Sequence, residues 1–333
     1  SFPVVFFLTL LAMVVGGNKF LKDWGFETVI FSLLIGLFIS NIFSIPKWLK
    51  EALSSELFVK IGLVLLGTTV LFDDLLKAGA LGLIQSCVVV FTVWNFCFWL
   101  CRKMKIDKEM SLMLSSAVSI CGVSAAVATA GAIKGDKTKL SYVVSLVLVV
   151  AVPMILIMPG LAKLMGLPED MAGAWIGGTI DTTGAVAATG AIYGEVALQT
   201  STIVKFSQNV LLGVAAFLIS IYWSYSKKEV TEEKPTLKVI WLRFPKFVLG
   251  FVAASLVFSF CVAPEVVSDA KPILKNIQGM WFALAFMSIG LETDFKSLIT
   301  SENRRSTYAF LGAQAFNVVF TLLVAWILFG LIA

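Results

Sequence analysis

The sequence predicts an all-α polytopic membrane protein, and three observations carry that prediction. Hydrophobic residues make up 59% of the 333, charged residues only 14%, and the mean hydropathy is +0.93. A soluble domain carries roughly 25% charge. Apolar runs of about 20 residues, enough to cross roughly 30 Å of hydrocarbon, recur along the whole chain. Inside them the apolar residues are continuous, without the alternation that marks a membrane barrel.

Taken in order, the runs lie at 3–17, 27–45, 56–73, 77–101, 110–134, 138–160, 171–193, 196–225, 240–263, 278–295 and 305–332. They predict about 9–11 transmembrane helices in a single integral membrane domain over 1–333. The first run lacks the basic head and small-residue cleavage site of a signal peptide and reads as a mature helix. Basic residues concentrate in "CRKMKIDK" (101–108), "SKKEVTEEKPTLKVIWLRFPK" (226–246) and "ENRRS" (302–306). The positive-inside rule places all three on the cytoplasmic side of a multi-pass membrane protein. The polar linker 226–239 separates an N-terminal half (1–225) from a C-terminal half (240–333).

Two arrangements remain open between those anchors. If 110–134 and 171–193 both span, Lys134, Lys137 and Lys139 fall outside. If both are re-entrant hairpins, these lysines return to the cytoplasm and the acidic loop with Glu169 and Asp170 lies outside. Charge favours hairpins; segment length favours spans.

Several chemistries are excluded by what the sequence lacks. It has no histidine, and Cys87, Cys97, Cys101, Cys121 and Cys261 form no CxxC pair or metal spacing. No P-loop, HExxH or GxSxG motif is present. The expectation is no enzyme, no metal, no cofactor and no nucleic-acid partner. The net charge of +5 is the usual excess of cytoplasmic loop lysines and arginines.

Against this background "GGTIDTTGAVAATGAIYG" (177–194) trades bulk for glycine and threonine around Asp181, and "CGVSAAVATAGAIKG" (121–135) echoes it. A gapless alignment of Cys121–Gly135 with Ile180–Gly194 matches seven of fifteen residues and sets Ser124 against Thr183. Small residues alone are explained by close helix packing. A carboxylate at membrane depth is not, because it costs at least about 2.5 kcal/mol and persists facing water, a partner or an ion. Broken helices hold such solutes with hydroxyls, freed backbone groups and half-helix N-termini. The candidate substrate site is therefore Thr179, Asp181, Thr182 and Thr183, with Ser119, Cys121, Gly122 and Ser124 from "SSAVSICGVS" (115–124). Lys205 and Asn209 of "VKFSQN" (204–209) join it, with Lys205 either the counter-charge of a bound anion or a snorkelling residue. "MSIGLETD" (287–294) supplies Ser288, Glu292 and Thr293, which with Asp181 are candidates for a coupling ion, sodium or proton. Glu292 also fits an ordinary helix end. Asn95, Gln314 and Asn317 read as interhelical hydrogen bonds.

In that order of motifs the chain resembles the YeiH-like family of bacterial membrane proteins, which carries a sulfate-exporter label. The likeness runs through "SICG-SA" at Ser119–Ala125, the Gly-Thr-rich helix ending at Tyr193–Gly194, the lysine helix at Lys205 and the "GL-T" turn at Gly290–Thr293. It covers nearly the whole chain. Where much of the family has a His-Asp pair and a following Gln, this chain reads Asp181, Thr182 and Ala185. The arginine often found after the lysine is Gln208. The resemblance implies inverted repeats, broken or re-entrant helices crossing near the midplane, and one domain moving elevator-like against a scaffold. It implies a secondary transporter of a small anion, a sulfur oxyanion or organic anion, coupled to protons or sodium. A homodimer is common among such carriers. An anion channel and an intramembrane enzyme are the competing classes.

Overall fold

A computed structural model describes residues 2–16, 28–43, 45–50, 53–70, 72–226, 241, 246–292 and 304–332. Among them the chain is helical, with no strand. In chain order the helices are α1 (Phe2–Gly16), α2 (Thr28–Ile42), α3 (Ser55–Leu66), α4 (Phe72–Lys103), α5 (Lys108–Ser116), α6 (Val123–Ile133), α7 (Lys137–Leu164), α8 (Glu169–Thr179), α9 (Thr183–Tyr193), α10 (Glu195–Ser226), α11 (Phe247–Leu256), α12 (Pro264–Glu292) and α13 (Arg304–Ala325). A single turn, Lys47–Lys50, precedes α3. Four long apolar helices, α4, α7, α10 and α13 with its extension, are each able to cross a membrane alone. The protein is an all-α, multi-pass integral membrane protein.

Two bundles form. In the first, α12 packs between α2 and α3, with α1 and α11 outside. Its closest approach is glycine on glycine: a β-carbon on Gly36 would stand 2.9 Å from Gly290 Cα and 2.6 Å from Met287 O. Such small-residue contacts let backbones meet where lipid offers no hydrophobic drive. Gly290 thus lies inside α12, in a close crossing rather than a turn. The second bundle holds α4 to α10 and α13. Both bundles draw helices from either side of the 226–239 linker, of which 227–239 lie outside the described residues.

The segments 110–134 and 171–193 are re-entrant hairpins, as the polar contacts at their bases establish. The Glu109 carboxylate near the start of α5 accepts the Asp136 N–H beyond the end of α6. Lys139 bridges Asp107 at 2.8 Å and Glu109 at 2.9 Å. In the other hairpin, the Glu169 carboxylate at the start of α8 accepts the Val196 and Ala197 N–H groups at 2.9 and 3.3 Å, just past the end of α9. Tyr193 Oη donates to Leu167 O at 2.5 Å. Each base therefore brings an acid from the preceding hairpin to the N-terminus of the next long helix, where negative charge is favoured, and at the first base Asp136 itself caps α7 through the Thr138 and Lys139 N–H groups. Between them α7, about 42 Å long at 1.5 Å per residue, runs from one base to the other, so the hairpins enter from opposite ends. An 11-residue arm reaches about 16 Å, half the depth of the hydrocarbon core.

One end of this bundle collects the positive charge. Lys108 Nζ lies 4.4 Å over the Tyr222 ring, and Tyr142 Oη is 2.6 Å from Thr307 Oγ1, which brings the starts of α5, α7 and α13 beside the end of α10. Lys103, Lys134, Lys137, Arg304 and Arg305 belong to the same end, the one the positive-inside rule assigns to the cytoplasm. The hairpins resolve the charge conflict that straight spans create.

Candidate functional site

Both hairpin tips are breaks written into the local sequence. In the first, Ala117–Cys121 widen into a π turn and Gly122 then adopts φ +58° and ψ −111°, a conformation essentially limited to glycine. In the second, Ile180 is extended and Thr182 caps α9, its Oγ1 accepting the Ala185 N–H at 3.3 Å. The two breaks touch. A β-carbon on Gly122 would stand 3.2 Å from Asp181 Cβ and 3.2 Å from Thr182 Cγ2. Gly122 and Asp181 are also paired in the gapless alignment, so the sequence echo marks the contact itself.

Breaking a helix frees carbonyls that must find donors away from water. Long neighbours supply them. From α10, Lys205 Nζ donates to Ile120 O at 2.7 Å and to Gln208 Oε1 at 2.8 Å, while Gln208 Nε2 donates to Gly178 O at 3.0 Å. From α13, Asn317 Nδ2 donates to Val118 O at 3.2 Å and Thr179 O at 3.1 Å, and Gln314 Nε2 to Thr179 O at 2.9 Å. The carbonyl ends of both first arms are thereby capped. Glycine lets α10 come this close: a β-carbon on Gly177 would meet Ser201 O at 2.4 Å, and one on Gly190 would meet Ser201 Oγ at 2.5 Å.

The opposite ends, the N-termini of α6 and α9, begin at the same point. The first N–H groups of each arm have no acceptor within their own helix, and each end carries about half a positive charge. Ser124 is exposed there and Thr182 and Thr183 are half-buried. Asp181 sits between the tips, 1% exposed, and neither of its oxygens accepts a hydrogen bond from the protein. Among the described residues no ammonium or guanidinium lies within 4 Å of it. Lys205, also 1% exposed, does not snorkel; its ammonium is spent on hairpin 1 and Gln208.

The structure gathers Ser119, Cys121, Gly122, Ser124, Thr179, Asp181, Thr182, Thr183, Lys205 and Asn209 around the tips. Within that group Ser119 turns its hydroxyl back onto Ser115 O at 2.7 Å, Cys121 is buried, and Asn209 Nδ2 donates to Thr183 Oγ1 at 3.2 Å. Ser288 and Glu292 lie in the other bundle. Ser288 is buried with an unpartnered hydroxyl, and Glu292 accepts the Ser55 hydroxyl at 2.7 Å at the end of α12. Thr293 lies outside the described residues. Gln314 and Asn317 make interhelical bonds, and their acceptors are the carbonyls of the breaks; Asn95 bonds back to Phe91 O at 2.7 Å. Sequence reasoning did not assign Glu109 and Glu169 to the hairpin bases. The available cue was an acid near the start of each segment and a glycine, Gly135 or Gly194, at its end.

The bundles meet through few side chains. A β-carbon on Gly184 of α9 would stand 3.0 Å from Ile289 Cδ1 and 3.2 Å from Val59 Cγ2. Phe206 of α10 packs edge-on against Phe247 and Phe251 of α11, with ring centroids 5.3 and 5.0 Å apart. The exposed pair Lys275–Glu195, at 2.8 Å, joins them at the other end from the lysine-rich loops.

A family profile described as "Conserved hypothetical protein 698" matches residues 2–309. A UPF0324 membrane protein of Rhodopirellula baltica is 40% identical over 342 residues, covering 100% of this chain and 63% of that protein. One from Nitratidesulfovibrio vulgaris is 38% identical over 346 residues, covering 100% of this chain and 59% of that protein. One from Bacillus anthracis is 25% identical over 323 residues, covering 95% and 92%. The chain thus spans about three fifths of the length of the first two. No solved structure matches.

Proposed function

The chain belongs to the UPF0324, or YeiH-like, membrane protein family, and on that premise we propose that it is a secondary carrier of a small anion in the bacterial inner membrane. The reading rests on one observation, the meeting of two opposed hairpin tips whose carbonyl ends are capped from α10 and α13 and whose N-terminal ends face each other, α6 without a side-chain cap and α9 with one, Thr182 on the Ala185 N–H. Donor groups and partial positive charge then converge on a solute while the site stays isolated from both sides. Hydroxyls of Ser124, Thr182 and Thr183 line that place, and they suit the oxygens of a sulfur oxyanion or an organic anion. Lys205 contributes through its fixed positive charge and by holding the first tip at Ile120 O.

Movement follows from the division into bundles. The hairpin bundle carries the site, and its border with the other bundle is largely apolar, through Val59, Ile289, Phe206, Phe247 and Phe251. Few polar bonds cross it, among them the Phe72 N–H to Ser259 Oγ at 3.0 Å and the exposed Lys275–Glu195 pair, so sliding one body on the other breaks few of them. The carrier works elevator-like, with the hairpins alternately sealing and releasing the anion.

The test is reconstitution of the purified chain in proteoliposomes loaded with sulfate, thiosulfate or a short carboxylate, followed by counterflow of the labelled anion. Saturable counterflow, weakened in Thr183→Val, is expected. Linear, unsaturating flux would indicate a channel, and no flux of any anion with no anion-dependent thermal stabilisation would remove the carrier reading.

A further inference from the structure

The second hairpin tip presents buried oxygens without protein partners. Both oxygens of Asp181, Thr179 Oγ1, Asn209 Oδ1 and Gln314 Oε1 are buried and partnered by no protein group. They come from three elements that the hydrogen bonds hold together: the tip itself, α10 through Asn209 on Thr183, and α13 through Gln314 on Thr179. Chemistry fixes the amide orientations at Thr179. A backbone carbonyl can only accept, so Gln314 turns its NH2 to Thr179 O and leaves its own oxygen free.

We infer that this tip is a sodium site, formed by Asp181, Thr179, Asn209 and Gln314. Hard cations take oxygen ligands of this kind. Protonating Asp181 would leave two hydroxyl donors, its own and that of Thr179, for three oxygens that only accept, whereas a cation serves all five together. One carboxylate balances a single charge, and among the described residues no cluster of three or more Asp, Glu, Cys or His exists to hold a divalent ion. Lys205 does not take the place of the cation, because its ammonium is directed to Ile120 O and Gln208 Oε1.

The site deepens the carrier reading and rests on it for its role. Sodium draws the tip of hairpin 2 against α10 and α13, which fixes the start of α9, where the anion binds. Coupling of this kind is reciprocal: the factor by which sodium tightens anion binding equals the factor by which the anion tightens sodium binding.

The experiment is thermal unfolding of the detergent-purified chain in sodium, potassium and N-methyl-D-glucamine chlorides at one ionic strength, without any candidate substrate. A saturable rise in Tm with sodium alone is expected, since a ligand of the folded state stabilises it by mass action. Thr179→Val and Asp181→Asn, both near-isosteric, lower the apparent sodium affinity by at least about tenfold while keeping the wild-type Tm in N-methyl-D-glucamine. Equal Tm in all three salts for the wild-type chain overturns the proposal and needs no variant to do so. So does a wild-type sodium response in both variants. Anion titrations in N-methyl-D-glucamine separate the two claims. Anion stabilisation without a sodium effect removes the sodium site and leaves the carrier; a sodium effect with no anion response does the reverse.

Discussion

Replacing Gly122 with alanine tests the contact on which the site depends. At φ +58° and ψ −111° a β-carbon is strained, at about 1–3 kcal/mol. It would also stand 2.7 Å from Val147 Cγ1, and valine has little rotamer freedom on a helix with which to retreat. Overpacking of that sort costs about 1–3 kcal/mol more, so Gly122→Ala should destabilise by about 2–6 kcal/mol. Relief comes only by moving the tip away from α7 or from Asp181 and Thr182, each 3.2 Å from the new atom. Thermal and denaturant unfolding in a fixed detergent should thus show a large loss, accompanied by weakened ligand-dependent stabilisation. Gly160→Ala is the control: the same added methyl in an exposed stretch of α7, with nothing within 4 Å. It should be neutral or stabilising by about 0.5–1 kcal/mol. If Gly122→Ala falls within about 0.5 kcal/mol of wild type, the tips are not pressed together at Gly122.

Two further predictions concern the hairpin bases. In a cysteine-free background, Lys103→Cys and Lys137→Cys should react with an impermeant thiol reagent from one side of the membrane, and Met165→Cys and Val196→Cys from the other; Lys103 and Lys137 labelling from opposite sides would restore straight spans. Burial pushes the Asp107 carboxyl up, but the Lys139 ammonium and the Met110 N–H outweigh it and hold it below the ordinary range. A folded pKa below the unfolded one, about 3.9, means that the stabilisation is complete above that value and is lost as pH falls through the lower one. Amide exchange at 134–139 should therefore be faster in Asp107→Asn than in wild type near neutral pH, with the difference closing below about pH 4; a constant difference at every pH would remove the ion pair as its cause.

Most helices were legible in outline because lipid leaves the chain little choice, although α12 begins at Pro264, well ahead of the run at 278–295, and the run at 56–73 divides between α3 and the start of α4. Continuous Leu, Val, Phe and Ile demand a bilayer, and a bilayer demands that each backbone group bond within its own helix. Gly122, Asp181 and their threonines stood out for the same reason, as residues with no apolar purpose. Gln314 and Asn317 were legible as bonding residues, but not as caps of Thr179 and Val118, because their acceptors lie more than a hundred residues away.

Composition and spacing by themselves determined the membrane class, the near order of the helices and the two polar breaks. They left open whether those breaks sit in spans or hairpins, since both use the same number of apolar residues. Only tertiary structure decided that, by bringing Glu109 to Asp136 and Glu169 to Val196. Tertiary structure also separated Asp181 from Glu292, both of which the sequence offered as candidate ligands of a coupling ion. A carboxylate's role is set by what surrounds it in space, and only folding places Asp181 between two helix ends and Glu292 beside Ser55.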